Sequence, residues 1–179
     1  MRLNTIFVTS ILGVYYFLAP LVVMFFVKDD KKYKIIRIVL LSSFFILLLI
    51  GILSEIDFNK NNLYIGFNFS SGWMNKSIIW RFPKFKIDLV INSLMLIPVG
   101  QWVFMCDTQK KQKFGVFRAA IFGVLIGATL EILQFVLPVN RSVQLSDVIL
   151  NTLSAVIGYM YMMVFYWGNV VFKKFVLKR

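Results

Sequence analysis

Seven polar side chains carry the chemistry available to this sequence: Asp88, Asn92, Glu131, Gln134, Arg141, Asp147 and Asn151. Five of them fall between Glu131 and Asn151. There an acid and an amide sit inside one apolar run, an Arg lies in a short connection, and an Asp and an Asn head the next run. An ionised side chain at mid-membrane costs roughly 2.5–3.5 kcal/mol on insertion scales, and such groups turn toward a bundle interior or a water-filled cavity. Glu131 has apolar neighbours on both sides and no helix end nearby, so it must be paired, protonated or facing water. Arg141 is its natural cationic partner, or else supplies a planar fork for a phosphate or carboxylate that Lys does not imitate. Asp88 and Asp147 each open an apolar run, where an acid also serves as a helix N-cap. Asn92, Gln134 and Asn151 equally suit hydrogen bonds between helices, each worth about 0.6–2 kcal/mol.

Composition narrows the chemistry further. There is no histidine and one cysteine, Cys106. That excludes a disulfide within the chain and argues against a His/Cys metal site; no metal site is expected. Any cofactor would be a hard cation such as Mg²⁺ on carboxylates, and none is expected outside an enzymatic reading. The 20 Lys and Arg against 8 Asp and Glu give a formal charge of +12. These bases sit in short clusters beside apolar runs, as topology signals and anionic-lipid contacts do, so no nucleic-acid partner is expected.

The elements that must position these groups are membrane helices. The chain is 59% hydrophobic with a mean hydropathy of +0.78, against about 45–50% apolar residues in soluble domains. Five apolar runs have about the length that crosses a bilayer, roughly 17–25 residues. They extend over about Leu3–Val27, Ile35–Leu53, Asp88–Cys106, Val116–Leu137 and Asp147–Val171. The fold class expected is an all-α, polytopic membrane helix bundle of about five transmembrane helices, forming one domain over residues 1–179. The first run is too long for a signal peptide and ends in Lys28, Lys31 and Lys32, so it is expected to be retained. Arg37, near the start of the second run, can snorkel to the headgroups. The connection over residues 54–87 carries Tyr64, Phe67, Phe69, Trp73, Trp80, Phe82 and Phe85, an aromatic load suited to the membrane interface. Its alternative role is a lid or platform for an amphiphilic ligand. Pro98, Gly100, Ser154 and Gly158, together with Gly123, Gly127 and Ala128, read as packing positions for kinks and close helix approach.

Charge sets the orientation. An outside N-terminus places thirteen bases on the cytoplasmic side: Lys28, Lys31, Lys32, Lys34, Arg37, Lys110, Lys111, Lys113, Arg118, Lys173, Lys174, Lys178 and Arg179. The seven left outside are Arg2, Lys60, Lys76, Arg81, Lys84, Lys86 and Arg141. The positive-inside rule therefore predicts a multi-pass protein with its N-terminus outside and its C-terminus in the cytoplasm. In that orientation Glu131 lies about 10 Å below Pro138, and Asn151 about 6 Å below Asp147. Asp88 and Asn92, one turn apart, share their level, so three helices are expected to carry polar groups into the outer half of the bilayer.

At these residues the chain resembles the VanZ-like family. Asp88, Asn92, Pro98 and Gly100 look like one block of the family pattern, and Glu131, Gln134, Arg141, Asp147, Asn151 and Gly158 like a second, together spanning about residues 88–159. Leu96 stands where an aromatic is common, Gln144 near a frequent acid and Ser154 where Gly is usual. The resemblance implies a bacterial multi-pass membrane protein, related to an accessory factor in resistance to the glycopeptide teicoplanin and to proteins tied to tolerance of other envelope-active compounds.

Three functions compete. The first is a non-enzymatic protein that binds an amphiphile, either a lipid-linked cell-wall precursor or a lipophilic antibiotic, in an outer-leaflet polar pocket among membrane lipids. The second is a membrane enzyme acting on a polyprenyl-phosphate or similar headgroup, with Glu131, Asp88 or Asp147 as acid and base or as Mg²⁺ ligands. The absence of histidine and of a nucleophile motif disfavours it. The third is a small transporter subunit, which needs a polar path through both leaflets.

Overall fold

A computed structural model describes residues 16–53, 67–68, 93–107, 112–137 and 143–176. Among these, five helices form the protein: α1 (Tyr16–Phe26), α2 (Asp30–Leu53), α3 (Ser93–Cys106), α4 (Gly115–Val136) and α5 (Leu145–Val176). Three spans within them, Asp30–Ile50, Gly115–Val136 and Leu145–Phe175, are long and apolar enough to cross a bilayer, while the described parts of α1 and α3 are apolar and shorter. The chain is an all-α membrane bundle, as its hydropathy predicts. Most of the aromatic connection lies outside the described residues. Two of its residues, Phe67 and Asn68, pair in parallel with Val143 and Gln144.

Helix ends depart from the hydropathy pattern for identifiable reasons. The second helix begins at Asp30 because Asp29 caps it: its carboxylate accepts from the Lys32 N–H at 3.0 Å and its carbonyl from the Tyr33 N–H at 2.8 Å. At its other end the chain makes α5 a 32-residue helix, about 48 Å long at 1.5 Å per residue. Hydropathy marks where lipid ends, whereas Lys173 and Lys174 are good helix formers that also suit a helix C-terminus. Within α3 the helix breaks at Leu96 (φ −96°, ψ 12°). Pro98, which lacks an N–H, starts the second part where a missing donor costs least. The Leu96 N–H freed by the break donates to Ser154 Oγ at 2.9 Å.

The bundle is tightest where α3 meets α5. A Cβ added to Gly100 would overlap the Ala155 carbonyl oxygen, and one added to Gly158 would overlap the Ile97 carbonyl oxygen. Two glycines facing each other's backbones let the helices close to a separation that side chains forbid. Around this crossing Leu96, Val99, Leu130 and Ala155 form one core cluster. Val103, Phe104, Ala119, Tyr159 and Met162 form another with Leu21 and Val23 of α1. Gln101, fully buried in α3, donates from Nε2 to the Phe17 carbonyl at 3.1 Å and so ties α1 to the bundle.

Candidate functional site

Helices α4 and α5 run antiparallel, and their register brings the acids together. Gly123 faces Thr152 and Ala155, and one turn later Gly127 faces Val148 and Asn151. The next position on that face of α4 is Glu131, at i+4. Continuing the register sets Glu131 level with the first turn of α5, which carries Ser146 and Asp147. The small residues do the positioning. With no side chain at 123 and 127, the helices approach closely enough to enclose the polar groups that follow. Glu131 is only 4% exposed and Asn151 1%; Ser146 is buried, while Gln134 and Asp147 are half-buried.

Glu131, Ser146 and Asp147 each have an interacting partner. Asn151 differs: its Oδ1 is buried and accepts no hydrogen bond among the described residues. An orphaned buried acceptor costs about 1–3 kcal/mol, so a fold that keeps one at its polar core holds it at the expense of stability. Among the described residues no three His, Cys, Asp or Glu side chains come together as a metal-ligand set. The chemistry on offer at this contact is hydrogen bonding by the Ser146 hydroxyl and the Gln134 and Asn151 amides together with the carboxyl groups of Glu131 and Asp147.

Of the residues singled out by sequence, Glu131, Gln134, Asp147 and Asn151 thus lie at one end of the α4–α5 contact. Asp88, Asn92 and Arg141 lie outside the described residues. Pro98, Gly100, Ser154 and Gly158 lie together at the α3–α5 crossing, where Ser154 carries the hydrogen bond from Leu96.

A second polar centre, not anticipated from sequence, occupies the opposite end of the bundle. Asp107, just past α3, forms an ion pair with Arg118 of α4. Its other carboxylate oxygen accepts from the Tyr159 hydroxyl of α5 at 2.9 Å. Gly115 lies directly against that hydroxyl, leaving it room to reach Asp107. Arg37 of α2 donates from Nη1 to the Met105 carbonyl at 3.0 Å, so this guanidinium caps the end of α3 as well as any snorkelling its length permits. The last carbonyls of a helix lack partners within it, and a cation there also suits the helix dipole. Residues 105–107 are therefore gripped by three other helices. The signal for this was an acid at the end of an apolar run with bases on the flanking segments; nothing in the sequence singled out Tyr159.

The chain matches the model of the VanZ/LLP1 family over residues 14–166. It belongs to that family. The match takes in α1 and α2 as well as the blocks around α3, α4 and α5, so all five helices are part of the family's unit. No curated protein and no solved structure matches the chain.

Proposed function

We propose that this VanZ/LLP1-family membrane protein binds the headgroup of an amphiphile at the α4–α5 polar contact. By changing the availability of that amphiphile, it contributes to bacterial tolerance of envelope-active antibiotics such as glycopeptides. The observation that carries the reading is the burial of Glu131 and Asn151 at one end of the α4–α5 contact, with the Asn151 Oδ1 left unpartnered. A free buried acceptor can take a hydrogen bond from a ligand, although Gln101 Oε1, at the structural tie between α1 and α3, is also without a partner among the described residues. Asp88, Asn92 and Arg141 are assigned to the same site, with Arg141 at its mouth receiving a phosphate or carboxylate of the amphiphile. The amphiphile is a lipid-linked cell-wall precursor or a lipophilic drug.

The site faces the outer leaflet in this reading. All nine described Lys and Arg residues (Lys28, Lys31, Lys32, Lys34, Arg37, Lys113, Arg118, Lys173 and Lys174) lie toward the end where α2 and α4 begin and α3 and α5 finish. The positive-inside rule makes that end cytoplasmic, and Glu131 and Asn151 lie toward the other.

The test is tolerance conferred in a deletion strain across a panel of envelope-active drugs. Glu131→Gln and Asn151→Ala are expected to abolish the phenotype while the protein remains inserted at normal abundance. Full tolerance from both variants would refute the reading. Turnover of a labelled polyprenyl-phosphate by the purified protein, with Mg²⁺ added, would replace binding with enzymatic chemistry at the same residues.

A further inference from the structure

At the basic end of the bundle the helices stop at different depths. Helix α4 has 22 residues, about 33 Å, and matches the roughly 30 Å hydrocarbon layer, whereas the 32 residues of α5 span about 48 Å. Gly115, the first residue of α4, lies against the Tyr159 hydroxyl, and Phe104, near the end of α3, meets the rings of Tyr159 and Tyr166. From Trp167 onward α5 therefore runs past the ends of α3 and α4. The α1–α2 turn goes with it. Tyr16 bonds to Ser43 at 2.9 Å, so α1 descends as α2 climbs, and the Phe17 and Tyr161 ring centroids lie 4.4 Å apart. Nine residues further along each helix are Phe26 and Val170, which brings Lys28, Lys31 and Lys32 to about the depth of Lys173 and Lys174.

These five lysines are exposed, and none forms an ion pair among the described residues. The acids beside them are Asp29 and Asp30, and the Asp29 carboxylate already accepts from the Lys32 N–H. The lysine charge is thus left to act outside the protein. At the same depth Phe26, Phe172 and Phe175 are exposed. Val171 and Phe172 lie two turns beyond the exposed Val164 and Phe165, so this apolar face continues the lipid-facing surface of α5. Rings and ammonium groups at one depth suit the headgroup layer, where aromatics and lysine stems border the acyl chains.

We propose that this end of the bundle binds an anionic phospholipid of the leaflet it faces. The headgroup rests on the lysines of the α1–α2 turn and of the α5 end, and the chains lie along α5. A zwitterionic headgroup carries its own ammonium beside the phosphate and gains less from these lysines. The surface shares no residue with the α4–α5 contact, so it stands or falls separately from that reading.

The experiment is native mass spectrometry of the full-length protein released from micelles that hold phosphatidylglycerol and phosphatidylcholine in equal amounts with the same chains. The first phosphatidylglycerol is expected to bind at least about fivefold more tightly than phosphatidylcholine, the factor that one lysine near an anionic headgroup supplies. Lys31→Gln with Lys32→Gln, and Lys173→Gln with Lys174→Gln, are each expected to bring the two lipids near parity while eluting as the native protein does. Lys173→Arg with Lys174→Arg keeps the charge and should keep the preference. Lys113 lies just before the start of α4, at the same end but outside the proposed surface, so Lys113→Gln should leave the preference unchanged. Equal binding of the two lipids by the native protein would overturn the proposal and leave the exposed face to a protein partner. A preference that survives the loss of either lysine pair would overturn it as well. So would a loss in Lys113→Gln equal to that in Lys173→Gln alone, which reduces the preference to net charge.

Discussion

Substitution of Gly100 by alanine should separate α3 from α5 and destabilise the whole bundle. The added Cβ would overlap the Ala155 carbonyl oxygen and lie 2.7 Å from both the Ala155 carbonyl carbon and the Tyr159 nitrogen. Ordinary contact begins near 3.4 Å, so clearing the carbon and nitrogen takes a retreat of about 0.7 Å by the α5 backbone and clearing the carbonyl oxygen takes more; these are backbone atoms that cannot rotate aside. Overpacking of this kind costs typically 1–3 kcal/mol. The same retreat stretches the 2.9 Å bond from Leu96 to Ser154, whose loss adds about 1 kcal/mol. Opposing these, alanine in a helix interior is favoured over glycine by about 1 kcal/mol. The net expectation is a loss of about 1–3 kcal/mol. Gly168→Ala is the matched control: nothing lies within 4 Å of its added Cβ, so it should gain up to about 1 kcal/mol. Reversible unfolding of the purified protein in mixed micelles, followed by far-ultraviolet circular dichroism, would compare the two. Equal stability of the Gly100 and Gly168 variants would refute the close α3–α5 crossing.

Three other outcomes follow from named contacts. Arg118→Ala leaves the Asp107 carboxylate buried without its cation and should cost about 3 kcal/mol; Asp107→Asn should cost about 2 kcal/mol and Tyr159→Phe about 1 kcal/mol, an order that the same unfolding assay checks. Ser154→Ala strands the Leu96 N–H at the break in α3 and should cost about 1–3 kcal/mol, whereas Ser154→Thr, which keeps the hydroxyl but adds a methyl to a fully buried position, should be destabilising through crowding; a stable Ala variant would show that Leu96 has another acceptor. In a Cys106→Ser background, single cysteines at Lys113 and Lys173 should react with a membrane-impermeant maleimide only after cells are opened, and labelling in intact cells would reverse the proposed orientation.

The bundle was legible because hydropathy reports burial in lipid directly, and the acids inside it stand out against that background. Glu131 and Asn151 could be placed on facing helices from their depth below Pro138 and Asp147. Their separation could not, because it is set by Gly123 and Gly127 meeting backbone across the contact, and a small residue does not reveal which neighbour it admits. Asp107 was hidden for a different reason. Beside Lys110, Lys111 and Lys113 it reads as one charge of a solvated connection, and Arg118 reads as a topology signal; only the fold shows them closing on Tyr159. Arg37 was expected to reach the headgroups, and it also donates to a helix end from another segment, a long-range contact that local periodicity does not encode. The extra turns of α5 were lost because charge ends a hydrophobic run without ending a helix.

The most direct measurement of the central claim is the position of a bound amphiphile. A dodecyl amphiphile carrying a diazirine beside its headgroup, photolysed with the full-length protein in nanodiscs, would be mapped by mass spectrometry. Labels at Gly127, Glu131 and Asn151, lost in Glu131→Gln, are the predicted result. Labels confined to the lipid-facing Leu125, Ile132, Ile149 and Leu153 would show the headgroup outside the bundle and contradict the account.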